Sequence, residues 1–160
     1  MRRKDREVTD FDEIVEILAR CDVIRLGIQA EGCPYVVPVS FGYAVEDGKL
    51  ALYFHGAAEG QKHTLLEQCD RVCVEADRFL EYVDTGHSYT ASYESVIGYG
   101  TAAVVTGVQA VRGLALLLRH CGFGTDSAEA CEKRARVYRI EIETITGKRR
   151  IAERKKSGGT

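Results

Sequence analysis

The sequence offers little of several things. Its formal net charge is only −2, so it has no global attraction for nucleic acid or an anionic membrane, and any anion site has to be local. No apolar run reaches the ~18 residues that a membrane span needs. There are two prolines and no internal repeat, which argues against collagen-like or solenoid architectures. Six cysteines, at 21, 33, 69, 73, 121 and 131, follow no recognisable signal peptide, and several fall in apolar runs. Free thiols in a reducing cytoplasm are the expectation. Cys69 and Cys73 lack a second pair or a convergent histidine spacing, so no metal site is expected.

At 160 residues, 45% hydrophobic and 29% charged, the chain fits one soluble globular domain. We expect that domain over residues 1–150, with a basic, Gly-rich mobile tail over 151–160. Phe11, Ile14, Val15 and Leu18 have helical spacing behind Asp10 and Glu13, a capping pair. Strand patterns follow over 23–29, 35–43, 50–55, 71–79 and 92–106, with a sixth over 137–144. In that sixth strand Tyr138, Ile140 and Ile142 alternate with Arg139, Glu141 and Glu143. Glu46-Asp47-Gly48 reads as a hairpin turn. Helices are expected over 61–69, 108–120 and 126–134, and a polar aromatic loop over 80–90.

Six short strands with few helices predict a mainly β fold, a six-stranded antiparallel barrel with helices outside, because closure removes exposed edges. Pro38 predicts an edge or bulge in its strand, and Gly98-Tyr-Gly100 a sharp bend.

The stretch Leu52-Tyr-Phe-His-Gly-Ala-Ala-Glu-Gly-Gln-Lys62 runs from a strand through small residues into a helix start. Helix starts carry unpaired N–H groups and partial positive charge, so a lysine there is poorly placed unless an anion compensates it. A phosphate beside Lys62 is one account; a solvated Lys62 and a His55 that merely braces the loop is the other. Alternation puts Leu50, Leu52 and Phe54 on a core face and Ala51, Tyr53 and His55 on a face available to a site. Tyr82, His87, Tyr89 and Tyr93 surround a lid or partner-facing loop. The consecutive leucines over 114–118 call for burial from two sides, by a dimer or by the core. The basic segments, Arg2–Arg6 and Lys148–Lys156, lack interleaved aromatics and read as solvated tails rather than a nucleic-acid patch.

These segments together resemble the FMN-binding split barrel of the pyridoxamine 5′-phosphate oxidase superfamily. Met1-Arg-Arg-Lys-Asp-Arg6, Pro34-Tyr-Val-Val-Pro-Val-Ser-Phe-Gly-Tyr43, the Leu52–Lys62 stretch, Ser95-Val-Ile-Gly-Tyr-Gly100 and Ile145-Thr-Gly-Lys148 are similar to its nitroimidazole-resistance branch. The resemblance implies that Lys62 meets the FMN phosphate beside the backbone of Gly60 and Gln61. It implies that Val37, Pro38, Val39, Ser40 and Phe41 flank the flavin ring and that Ser95 approaches from the fifth strand. His55 would supply a hydrogen bond or proton. Vitamin-B6 oxidases place serine and arginine where Gly60 and Gln61 stand, so that particular activity is not implied. The expected function is a homodimeric flavin-dependent reductase of a small planar acceptor such as a nitroimidazole. The alternatives are a non-catalytic flavin (FMN or FAD) or haem carrier and a cofactor-free interaction module.

Overall fold

The computed structural model describes residues 3–86 and 88–153; Arg2, His87 and the expected tail beyond residue 153 lie outside the described residues. After a single 3-10 turn over Lys4–Arg6, the elements are β1 (Glu7–Val8), α1 (Phe11–Ala19), β2 (Ile24–Ile28), β3 (Tyr35–Val39), β4 (Gly42–Glu46) and β5 (Lys49–Gly56). They continue with α2 (Gln61–Gln68), β6 (Arg71–Asp84), β7 (Tyr89–Val105), α3 (Gly107–His120), α4 (Ala128–Glu132) and β8 (Arg136–Arg150).

One antiparallel sheet holds the strands in the order β3-β2-β6-β7-β8-β5-β4, with β1 on β8. The expected six strands become eight, and the sheet is curled but not closed. The two edge strands, β3 and β4, are consecutive in the chain. Only Ser40 and Phe41 separate them, so the segment expected as one strand over 35–43 divides there. Gly42 permits the break, because a β-carbon at that position would run into the backbone of Leu116 and Leu117 in α3. The curl with a covalent link between its edges is the split form of a barrel.

Local rules account for most elements. Asp10 accepts a hydrogen bond from the Glu13 N–H at 3.0 Å and starts α1. Asp47 and Gly48 both have positive φ, 50° and 75°, as a two-residue hairpin turn between β4 and β5 requires. Pro38 lies on edge strand β3, opposite Arg25 of β2, in the edge position expected for it. The expected bend at Gly98–Gly100 is present as a register shift between Tyr99 and Gly100; a β-carbon on Gly100 would overlap the Glu141 carbonyl.

The loop expected over 80–90 is mostly strand. β6 and β7 run on as a two-stranded arm, at whose end the Thr85 hydroxyl donates to the Ser88 carbonyl at 2.9 Å. Exposed Phe79, Leu80, Tyr82 and Tyr89 break the usual alternation of polar outer and apolar inner residues along the arm, although Val83 is buried. β8 continues six residues past Thr144, which brings Lys148 opposite Glu7 instead of into a free tail.

The curl encloses the main core, with Ile24, Leu26, Phe41, Leu52, Phe54 and Ile140 all under 2% exposed. A second cluster lies outside the sheet, where α3 and α4 meet Val105 and Val137. Leu114 and Leu118 are buried or packed there, so the apolar surplus of α3 is taken up inside the chain and gives no argument for a dimer.

Candidate functional site

The loop between β5 and α2 follows Gly56, the last residue of β5, and ends at Gly60. Gly60 has φ 138°, a conformation that favours glycine, and its carbonyl accepts the N–H groups of His63 and Thr64 at 3.0 and 3.3 Å. Lys62 therefore falls in the first turn of α2, as expected. Its ammonium lies 5.3 Å from the centroid of the Phe54 ring and has no ion pair among the described residues. Burial lowers its pKa. A half-buried cation against an aromatic face, without a carboxylate, leaves its charge available to an outside anion.

The sequence reading missed His63. It is 4% exposed, and its Nδ1 bonds the Tyr138 hydroxyl at 2.9 Å. The two rings are nearly parallel, with centroids 5.5 Å apart, and Tyr138 stacks in turn on Phe54 at 4.9 Å. The available signals were helical spacing, His63 three residues before Leu66, and the inward row of β8 that carries Tyr138.

His55 is where alternation sends it, but the face is not the open one expected. Ala51 and Tyr53 on that face are each 1% exposed, because α3 packs over them. Only His55, past the end of α3's cover, remains exposed. It lines a cavity of about 520 Å³ with Ala57, Ser127, Ala130, Cys131 and Arg134. Its pKa is lowered by burial and then by the charge of Lys62, which keeps the imidazole neutral at pH 7. Lys62 approaches from the Gly56 side, so the two residues flank the loop on opposite faces of β5.

The third group of expected residues divides. Pro38 and Ser40 are exposed on or just after β3; Val37 packs partly against the core; Val39 and Phe41 are buried. The centroid of the Phe41 ring lies 4.3 Å from that of His120. Ser95 pairs with Asp77 and Lys148. Since β7 lies three strand positions from β3, roughly 14 Å away, one chain does not bring Ser95 to the β3 edge.

All six cysteines are free, and burial pushes the Cys21 thiol up to about 11. Among the described residues no cluster of three His, Cys, Asp or Glu is set to hold a metal ion, and no helix is long and apolar enough to cross a membrane.

No curated protein matches the chain in sequence. Among solved structures it is similar to a proposed 5-nitroimidazole antibiotic resistance protein from Bacteroides thetaiotaomicron, at 29% identity and a TM-score of 0.74, over 89% of this chain and 85% of that one. A FAD and haem binding protein from Mycobacterium smegmatis has a TM-score of 0.74 at 17% identity, over 97% of this chain and 81% of that one. A FAD-binding protein from Mesorhizobium loti has 0.65 at 23%, over 91% and 98%. The last two likenesses speak to the fold alone. The family model described as pyridoxamine 5′-phosphate oxidase matches residues 10–149, nearly the whole described sheet, and the chain belongs to that family.

Proposed function

We propose that the chain is an FMN-binding oxidoreductase, a flavin-dependent reductase of a small planar acceptor such as a nitroimidazole or nitroaromatic compound, working as a cytoplasmic homodimer. The observation that carries this reading is Lys62: a half-buried ammonium with no carboxylate among the described residues, at the end of a glycine-bounded loop. A phosphate supplies the missing charge. The resistance protein from Bacteroides thetaiotaomicron, at 29% identity, supports the acceptor class, and the flavin-binding relatives in fold support the cofactor.

In this reading Lys62 and the backbone of Gly60 and Gln61 hold the phosphate, and the exposed Pro38–Ser40 edge meets the ring. The flavin, when bound, supplies the electron transfer itself. The chain's own contribution is to orient it, exclude water and offer His55 as a neutral hydrogen-bond acceptor. A dimer answers the distance between Ser95 and β3, since Ser95 from one protomer can meet the β3 edge of the other. Exposed Phe79, Tyr82, Tyr89, Ile97 and Tyr99 provide apolar surface for that contact.

Replacing Lys62 with Ala is expected to weaken FMN binding by about 1.5–3 kcal/mol, the range for charge-assisted hydrogen bonds. Fluorescence titration measures it, and an unchanged affinity removes the phosphate from this loop. The second reading is a carrier of flavin or haem without turnover, favoured by the exposed imidazole of His55 beside a cavity. The absorption spectrum of the purified protein, followed by turnover with a nitroaromatic acceptor, separates the two.

A further inference from the structure

The two side chains after Gln61 face one small space. A β-carbon on Gly56 would lie 2.9 Å from Nζ of Lys62 and 3.2 Å from Nε2 of His63. The bare glycine therefore leaves an ammonium and an imidazole nitrogen converging above the strand. The imidazole is held in place: Nδ1 is committed to the Tyr138 hydroxyl, the ring stacks on Tyr138, and only 4% of the residue is exposed. A ring pinned in this way aims its other nitrogen in one direction and loses little further freedom when a ligand arrives.

We infer that Nε2 of His63 is a second donor for the phosphate, beside Lys62, and that the imidazole takes up a proton when the anion binds. This rests on the flavin reading above and adds a ligand-binding residue to it.

The charges around the ring make the protonation conditional. Burial, then the charges of Lys62 and Arg136, lower the pKa of His63, while a hydrogen bond from the ring to the Ala57 backbone and the charge of Glu67 raise it less. Glu67 is itself engaged by Arg136 at 2.8 Å. Tyr138, also on β8, contributes its hydroxyl to Nδ1, and His55 lies on the far face of β5. In the free protein these contributions together favour the neutral ring. A phosphate dianion next to Lys62 opposes the two cationic contributions and favours the imidazolium, which then donates from both nitrogens.

The sign follows from linkage. Binding that takes up a proton gains its full advantage below the free-state pKa of His63 and loses it as pH rises through the bound-state pKa. The second ionisation of a phosphate monoester, with a pKa near ~6, pulls the other way, so the wild type has to be compared with a variant that shares the ligand's titration but not the imidazole's.

FMN affinity should be measured from pH 5.5 to 8.5 for the wild type, His63→Gln and Lys62→Ala. The expected result is that His63→Gln binds about tenfold more weakly at pH 6 and within about twofold of wild type at pH 8.5. A constant ratio across that range overturns the role of His63 while leaving Lys62 and the loop in place. Unchanged affinity in Lys62→Ala, or no FMN binding by the wild type, overturns the flavin reading and the inference with it. Should His63→Gln fail to fold, ring-nitrogen NMR of the wild type gives the same decision: the His63 pKa rises on adding FMN, or it stays and the inference fails.

Discussion

Gly113 of α3 lies against the ring of Tyr53 so closely that a β-carbon there would overlap Cδ1 and come within 3.0 Å of Cγ. The ring is 1% exposed and has no room to retreat. Gly113→Ala gains up to ~1 kcal/mol of helix propensity, but overpacking a closed contact costs ~1–3 kcal/mol. The expected outcome is a net loss of stability, read as a lower urea midpoint. Gly124→Ala, at a position with open space around it, serves as the control with little change.

Glu94 is the buried hub of the opposite end of the sheet. Arg149 and Arg20 bond its carboxylate at 2.8 and 3.0 Å, and Arg78 lies at 3.8 Å. Burial raises its pKa, but the hydrogen bonds from Arg149 and Arg20 and their charges outweigh it and leave it below the ordinary value. A depressed carboxylate contributes stability above the unfolded-state pKa, ~4.3, and that contribution is lost as pH falls through the folded pKa. Glu94→Gln is expected to lose about 1–3 kcal/mol at pH 7, with a smaller further loss than wild type on acidification below ~4.3. Equal acid sensitivity of both proteins in urea titrations would place the effect elsewhere.

For His55 the expectation is a division between affinity and rate. His55→Gln keeps a hydrogen-bonding side chain, so FMN affinity should stay within about twofold, whereas turnover of a nitroaromatic acceptor should fall by ~10²–10⁴ if a proton moves through the ring. Burial and Lys62 put the imidazole pKa below its usual value, so activity that depends on the neutral form declines only at acidic pH. Turnover unaffected by the substitution across pH 5–8 makes His55 a brace for the loop.

The arm beyond Phe79 carries Tyr82 and Tyr89 at 78% and 84% exposure, with the Phe79 and Tyr82 rings 4.6 Å apart. A two-stranded ribbon is marginal by itself. If the arm is a protomer contact, wild type should show twice the 17.7 kDa chain mass by light scattering at micromolar concentration. A Tyr82→Ser, Tyr89→Ser double variant should shift toward monomer and bind FMN more weakly. A wild type that stays monomeric with FMN present ends the dimer proposal.

What the sequence disclosed follows the range of the interactions. Asp10 at the head of α1, the Asp47-Gly48 turn and the inward row Tyr138, Ile140, Ile142 all depend on neighbours a few residues away, and each was readable. The division at Ser40–Phe41 was not, because those residues continue the alternation and the cause, the backbone of α3 against Gly42, is about 75 positions further along. The bond between His63 and Tyr138 spans 75 positions and leaves no local mark. The face of His55 was assigned correctly by alternation, but its cover by α3 depends on packing that no local pattern encodes. Lys62 was legible because a cation at a helix start is anomalous in its own neighbourhood.

The covalent link between the sheet's two edges also sets an order of events. β5 meets β8 through pairs such as Ala51 with Glu141, about 90 residues apart, whereas β6, β7 and β8 follow one another along the chain. The β4–β5 hairpin can form early through its own turn, but it must wait for the last strand before its second edge is covered. Loop closure of that length is paid for before its contacts exist, so newly made chain carries an uncovered hairpin edge until residue 141 and its neighbours have been synthesised, an interval during which edge-to-edge association competes with folding.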